Sequence, residues 1–152
     1  MRFHFVDRID AVRKYASARG VKTVTFEEGF IDELSAEPGM IPRMLLIECA
    51  AQLVSWLVLY STDFAKIPLI AKIDDAAIEC SVPCGTVMTL EVDVQSWNDE
   101  GAIFNCGVSL PGGRRIASGV RCLCTFITSG TLVDPDEMKA RFRELAKDAD
   151  CD

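Results

Sequence analysis

The sequence predicts an α+β fold in which an antiparallel sheet wraps around one long central helix. Three observations lead there. The run Met44–Tyr60, MLLIECAAQLVSWLVLY, contains neither Gly nor Pro and is apolar on nearly every face, so it reads as a helix enclosed by protein. After it, Leu69–Ile78, Val87–Trp97, Ala102–Leu110 and Arg115–Thr128 read as strands, with Met88, Leu90, Val92 and Val94 sharing one face. Before it, Val21-Lys22-Thr23-Val24-Thr25-Phe26 is rich in β-branched residues. One helix is enclosed by five strands only if the sheet curls around it.

Each element has its own signals. The chain up to about Gly20 is ambiguous, because Asp10–Tyr15 fits a helix start, and a single long strand from about Tyr15 to Phe26 is the favoured reading. Glu27–Ile41 is acidic and broken by Gly29, Pro38 and Gly39, so it reads as a loop with at most one helical turn. Pro42 suits a helix start, where its missing N–H costs nothing. Asn98-Asp99-Glu100-Gly101 and Pro111-Gly112-Gly113 are turn chemistry between antiparallel neighbours. In the tail, Asp134-Pro135-Asp136-Glu137 opens a helix whose apolar stripe is Met138, Phe142 and Leu145. The organisation is one domain over residues 1–130, followed by a charged helical tail over 131–152.

Composition narrows the function. At 152 residues and 49% hydrophobic content the chain has enough apolar mass for one packed domain. A net charge of -7 disfavours nucleic-acid binding, since the surface repels phosphates. The N-terminus has no apolar core of signal-peptide type. Seven cysteines, an odd number without CxxC pairs, fit reduced and mostly buried thiols in the cytoplasm, and with a single histidine their spacing does not suit a metal site. The apolar run is slightly short for a bilayer and carries Glu48 and Gln52 near its middle, which argues against a membrane span.

The chemistry sits on that helix. Glu48, Gln52 and Ser55 fall at i, i+4 and i+7, one line along an apolar surface. A carboxylate placed there needs a hydrogen bond, an ion pair or a proton, and desolvation moves it towards acid–base work near neutrality. A satisfied structural glutamate braced by Gln52 explains the same pattern equally well.

Pro42-Arg43-Met44-Leu45-Leu46-Ile47-Glu48-Cys49-Ala50-Ala51-Gln52 resembles the Pro-Gly-x-Leu-x-x-Glu-x-x-Ala-Gln segment of 3-hydroxyacyl-acyl carrier protein dehydratases. Asp7-Arg8-Ile9, Lys22-Thr23-Val24-Thr25, Ile70-Ala71-Lys72-Ile73-Asp74-Asp75-Ala76 and Val82-Pro83-Cys84-Gly85 extend the resemblance in the same order, to about Ile127. It implies a hot-dog fold and a homodimer, or a higher even oligomer, with an acyl thioester on acyl carrier protein or CoA lying at the subunit interface. It implies no cofactor. It implies that Glu48 is the acid/base carboxylate acting on the departing hydroxyl, supported by Gln52. Pro42, Arg43 and Met44 then lie where helix-start N–H groups polarise the thioester carbonyl.

The sequence departs from this pattern twice. The family's histidine belongs to a Gly-His-Phe-Pro stretch, and counting back from Glu48 puts Leu34 at its position, between Glu33 and Ser35. Arg43 replaces the glycine after the helix-start proline. Leucine accepts no proton, so three functions stay open: an altered dehydratase that still binds acyl thioesters, a thioesterase working through Glu48, or a non-catalytic acyl-binding or scaffold subunit. His4, Asp32 and Glu33 are the remaining candidates for the missing base, although packed or solvated roles explain them better. Cys49 is assigned to packing. Arg43, Lys72, Arg114 and Arg115 are the cations available to an acidic carrier protein.

Overall fold

The computed structural model describes residues 4–25 and 38–152. In chain order the elements are β1 (Arg8–Arg13), β2 (Ser17–Thr23), β3 (Met40–Ile41), α1 (Arg43–Ser61), β4 (Lys66–Asp74), β5 (Ala77–Ile78), β6 (Val82–Pro83), β7 (Val87–Trp97), β8 (Gly101–Ser109), β9 (Arg115–Thr128), α2 (Pro135–Leu145) and β10 (Asp150–Cys151). The main sheet runs β10-β1-β2-β7-β8-β9-β4, with β5 also on β9, and β3 pairs with β6 in a small second sheet. All pairings are antiparallel except β1 with β10. The sheet wraps one side of α1, as the enclosed-helix argument predicts.

α1 matches its apolar run closely because nothing within it breaks a helix. Pro42 stands at the N-cap (φ -57°, ψ 139°) and Leu45 N–H donates to its carbonyl at 2.9 Å. Leu46, Cys49, Leu53 and Leu57 have no exposed surface and face the sheet. Gly20 permits this packing: a β-carbon there would stand 2.9 Å from Arg8 O and 3.3 Å from Leu53 Cδ1. Among the described residues α1 is the one helix long and apolar enough to cross a membrane, and most of its residues are buried against this chain.

The meander β7-β8-β9 follows the alternation read from the sequence. Met88, Leu90 and Val92 are buried, and Val94 is partly buried. Asn98 Oδ1 accepts from Glu100 N–H and Gly101 N–H at 2.8 and 2.9 Å, and Gly112 and Gly113 take φ of 86° and 83° in the next turn.

The N-terminal expectation needs correction. The strand expected from about Tyr15 to Phe26 is β2, which runs Ser17–Thr23, but Asp10–Tyr15 is no helix: it is the end of a preceding strand, β1, and the turn after it. β1 and β2 form a hairpin, and Tyr15 sits in its turn with φ 59°. A bulge between Ile9 and Ala11 lets Ile9 and Val12, three residues apart, both face the core at 1% exposure. That spacing imitates a helical period, which is why the sequence was ambiguous. The strand expected over Leu69–Ile78 is also two: β4 starts at Lys66, and Asp75 at φ 55° separates it from β5. The loop expected over Glu27–Ile41 falls mostly outside the described residues, and its last two positions form β3.

In the tail, the Asp134 side chain caps α2 by accepting from Asp136 N–H and Glu137 N–H. Phe142 and Leu145 are buried, and the Phe142 ring stacks on Tyr60 at 4.9 Å. β10 then lies parallel to β1, a pairing with no signature in its acidic sequence.

Candidate functional site

The sheet covers one side of α1, and α2 covers the C-terminal half of the other through Phe142 against Trp56 and Tyr60. Among the described residues no element packs over the N-terminal half on that side. Arg43, Met44 and Glu48 are exposed, Met44 by 70%, and Leu45 and Ile47 are half-buried. Glu48 was expected to be buried, and within the single chain it is not. Among the described residues neither the sheet nor α2 covers the first two turns on that side.

The expected line along the helix is present. Gln52 Nε2 donates to Glu48 Oε1 at 2.9 Å, and Phe5 N–H donates to Gln52 Oε1 at 2.8 Å. The amide therefore connects the carboxylate to the N-terminal segment. Phe5 gave no functional signal in the sequence, since only the backbone of that residue takes part. Ser55, next on the line, turns its hydroxyl to Ala51 O at 3.2 Å.

Pro42, Arg43 and Met44 lie at the same end of α1, one turn before Glu48. Among the described residues no side chain caps this N-terminus, and no acidic residue occupies its first turn, so the positive end of the helix dipole lies here. The approach is shaped by the small sheet, in which Met40 pairs with Pro83 and Ile41 with Val82, while Cys84 N–H donates to Gly39 O at 3.0 Å. Thus Val82–Gly85, distant in sequence, braces the entry to the helix. Asp7 and Lys22, also far apart, meet as well: Thr23 N–H donates to Asp7 Oδ2 at 2.6 Å, and the buried Lys22 Nζ lies 3.4 Å from Asp7 Oδ1.

Leu34, Asp32 and Glu33 lie outside the described residues. His4 is exposed and lines a cavity between α1 and α2, a feature contributed by four separate segments and not foreseen from sequence. Of the cations considered for docking, Lys72 pairs with Asp74 at 2.8 Å, Arg114 with Glu79 at 3.4 Å and Arg115 with Glu91 at 2.6 Å, all surface pairs of small net worth.

The cysteines are in thiol form. Cys49 packs into the core with no exposure. Cys106 and Cys122 lie with sulfurs 3.9 Å apart; this contact, then burial, pushes the Cys106 thiol far above its ordinary range. Burial pushes the Cys124 thiol up to about 12. Neither serves as a nucleophile near neutrality. Among the described residues no three His, Cys, Asp or Glu side chains gather to hold a metal.

No protein-family model matches the chain. It is 32% identical over 95 residues to the 3-hydroxyacyl-acyl-carrier-protein dehydratase FabZ of Caldicellulosiruptor bescii, covering 62% of this chain and 68% of that one. Among solved structures it resembles a hot-dog-like protein from Thermanaerovibrio acidaminovorans, with a TM-score of 0.62 at 14% identity, covering 83% of this chain and 90% of that one. It likewise resembles a hypothetical thioesterase with coenzyme A from Streptococcus pneumoniae, with a TM-score of 0.62 at 11% identity, covering 80% and 85%. The fold is the hot-dog fold, as the resemblance implies.

Proposed function

Because the chain belongs to the 3-hydroxyacyl-acyl-carrier-protein dehydratase FabZ family, we propose that it binds acyl thioesters, carried on acyl carrier protein or CoA, at the N-terminal half of α1 with Glu48 as the reacting carboxylate. The observation that carries this reading is the Glu48–Gln52–Phe5 hydrogen-bonded line beside a helix N-terminus that no described side chain caps. The helix end supplies N–H groups and a positive dipole for a thioester oxygen. Gln52 holds the carboxylate in one orientation at the same end. The apolar Met44, Leu45 and Ile47 flank it and suit an acyl chain.

Dehydration of a 3-hydroxyacyl chain needs one group to take the C2 proton and another to protonate the leaving hydroxyl. Glu48 provides one of them, and Leu34 cannot provide the other. That substitution favours thioester hydrolysis as a second reading, because a single carboxylate suffices to draw a proton from attacking water.

A homodimer completes the proposal. β4 is the end strand of the sheet, and among the described residues no strand pairs with its outer edge. It exposes Leu69 and Ile70 by 41% each and Ile73 by 38%. An apolar open edge is a template for another strand, and the matching edge of a second copy satisfies it.

The test offers the purified chain 3-hydroxyacyl and saturated acyl thioesters, alongside Glu48→Gln. Thiol release without dehydration, lost in the variant, selects hydrolysis. Dehydration lost in the variant restores the two-group mechanism, with a base other than Leu34. Thioester binding with neither reaction identifies a non-catalytic acyl-binding subunit. Absence of thioester binding refutes the proposal.

A further inference from the structure

Lys22 carries a charge on the core face of the sheet. Along β2, Ala18, Gly20 and Lys22 are buried and share the face that packs on α1, where a β-carbon at Gly20 would stand 3.3 Å from Leu53 Cδ1. The Lys22 side chain is 3% exposed. Its Nζ donates to Thr23 O at 2.7 Å and lies 3.4 Å from Asp7 Oδ1. Taking an ammonium out of water is costly, and an apolar side chain of similar length commonly stabilises such a position as well or better. Stability therefore gives no account of the pair, and its place in the fold does.

Asp7 is tied to β2 three times. Its N–H donates to Val21 O at 2.9 Å, its Oδ2 accepts from Thr23 N–H at 2.6 Å, and its Oδ1 faces Lys22. Two residues earlier, Phe5 N–H donates to Gln52 Oε1 at 2.8 Å. A backbone N–H only donates, so it selects the oxygen of the Gln52 amide and leaves the NH2 for Glu48 Oε1 at 2.9 Å. The reversed amide would set its oxygen against the carboxylate, acceptor against acceptor. Which way the amide stands depends on where Phe5 N–H is held, and Asp7 anchors that short segment on β2.

We infer that the Asp7–Lys22 pair is a positioning device for the Glu48 site: it holds Phe5 N–H in register with Gln52, and so fixes the amide that presents its NH2 to Glu48. Both are positioning residues, acting through Gln52. The consequence for thioesters rests on the function proposed above, whereas the orientation of the amide does not.

The test compares the full chain with Asp7→Ala/Lys22→Met, which leaves no charge buried alone and is expected to fold, and with Lys22→Met, which keeps the side-chain length. Amide exchange and the Gln52 side-chain NH2 resonances are followed by NMR on nitrogen-labelled protein. In the double variant Phe5 amide exchange is expected to rise about tenfold, the scale of one weakened hydrogen bond, while the amides of Leu53 in α1 and Leu90 in β7 stay protected. The Gln52 NH2 resonances are expected to move towards those of a free amide. Lys22→Met alone is expected to show both shifts to a smaller degree, and it decides the matter should the double variant fail to fold. Thioester affinity is read as a cycle with Gln52→Leu: the double change is expected to lower it about threefold in the parent and to have no further effect once Gln52 is gone. Unchanged Phe5 exchange and Gln52 resonances in either variant would overturn the inference, as would an additive loss of affinity in the Gln52→Leu background. A parent that binds no thioester defeats the proposed function alone, and the exchange and NH2 measurements still decide this inference.

Discussion

Gln52 joins the candidate carboxylate to the N-terminal segment, and replacing it with leucine tests that link directly. Gln52→Leu keeps the helix propensity and most of the side-chain volume, but removes the acceptor for Phe5 N–H at 2.8 Å and the donor to Glu48 at 2.9 Å. The two bonds are not equal. Glu48 is exposed and water replaces its lost donor, so that bond contributes about 0.2–0.5 kcal/mol, the usual value of an i,i+4 pair. Phe5 is 5% exposed, so the loss of its acceptor costs about 1 kcal/mol or somewhat more. The expected total is about 1–2 kcal/mol. It is read as a lower urea midpoint with unchanged slope, at fixed protein concentration because association shifts apparent stability. Thioester binding is expected to weaken with it, since Glu48 loses its orientation. A variant as stable as the parent, with unchanged thioester affinity, would refute the claim that Gln52 organises the site.

Two further outcomes follow from the structure. Replacing both Ile70 and Ile73 on the outer edge of β4 with lysine places two charges where a second copy is proposed to pair; sedimentation velocity should then report a monomer where the parent is a dimer, and a parent that is already monomeric defeats the edge-pairing argument. Cys124, whose thiol is raised from 9.0 to about 12, binds a proton in the folded chain that the unfolded chain has lost, so stability is intact below about pH 9 and falls as pH rises from there through 12. Urea unfolding of Cys124→Ala over the same range should show a shallower fall, and parallel curves would exclude this thiol as a contributor.

Much of the fold was legible because its signals are local. The run from Met44 to Tyr60 needs only its own residues to be helical, and the structure differs from it by one residue at each end. β7, β8 and β9 were legible because alternation and turn residues act over a few positions. β1 was not, since the bulge after Ile9 disguises the strand period, and β10 was not, since its pairing depends on β1 and not on its own acidic residues. The Glu48–Gln52 pair was readable from helical spacing, whereas the Phe5 backbone that completes it was not.

The sequence by itself determined that one apolar helix must be covered by a sheet, and that a carboxylate and an amide share one line along it. Those follow from the 3.6-residue period and from the cost of leaving apolar surface in water. Only the tertiary structure decided how far the cover extends. The sheet takes one side and α2 takes the C-terminal half of the other, so that among the described residues Glu48 is exposed near the start and a cavity lies beside Gln52, Ser55, Trp56 and Leu59. Exposure is a property of what packs against a residue, and for α1 those partners come from segments up to a hundred positions away.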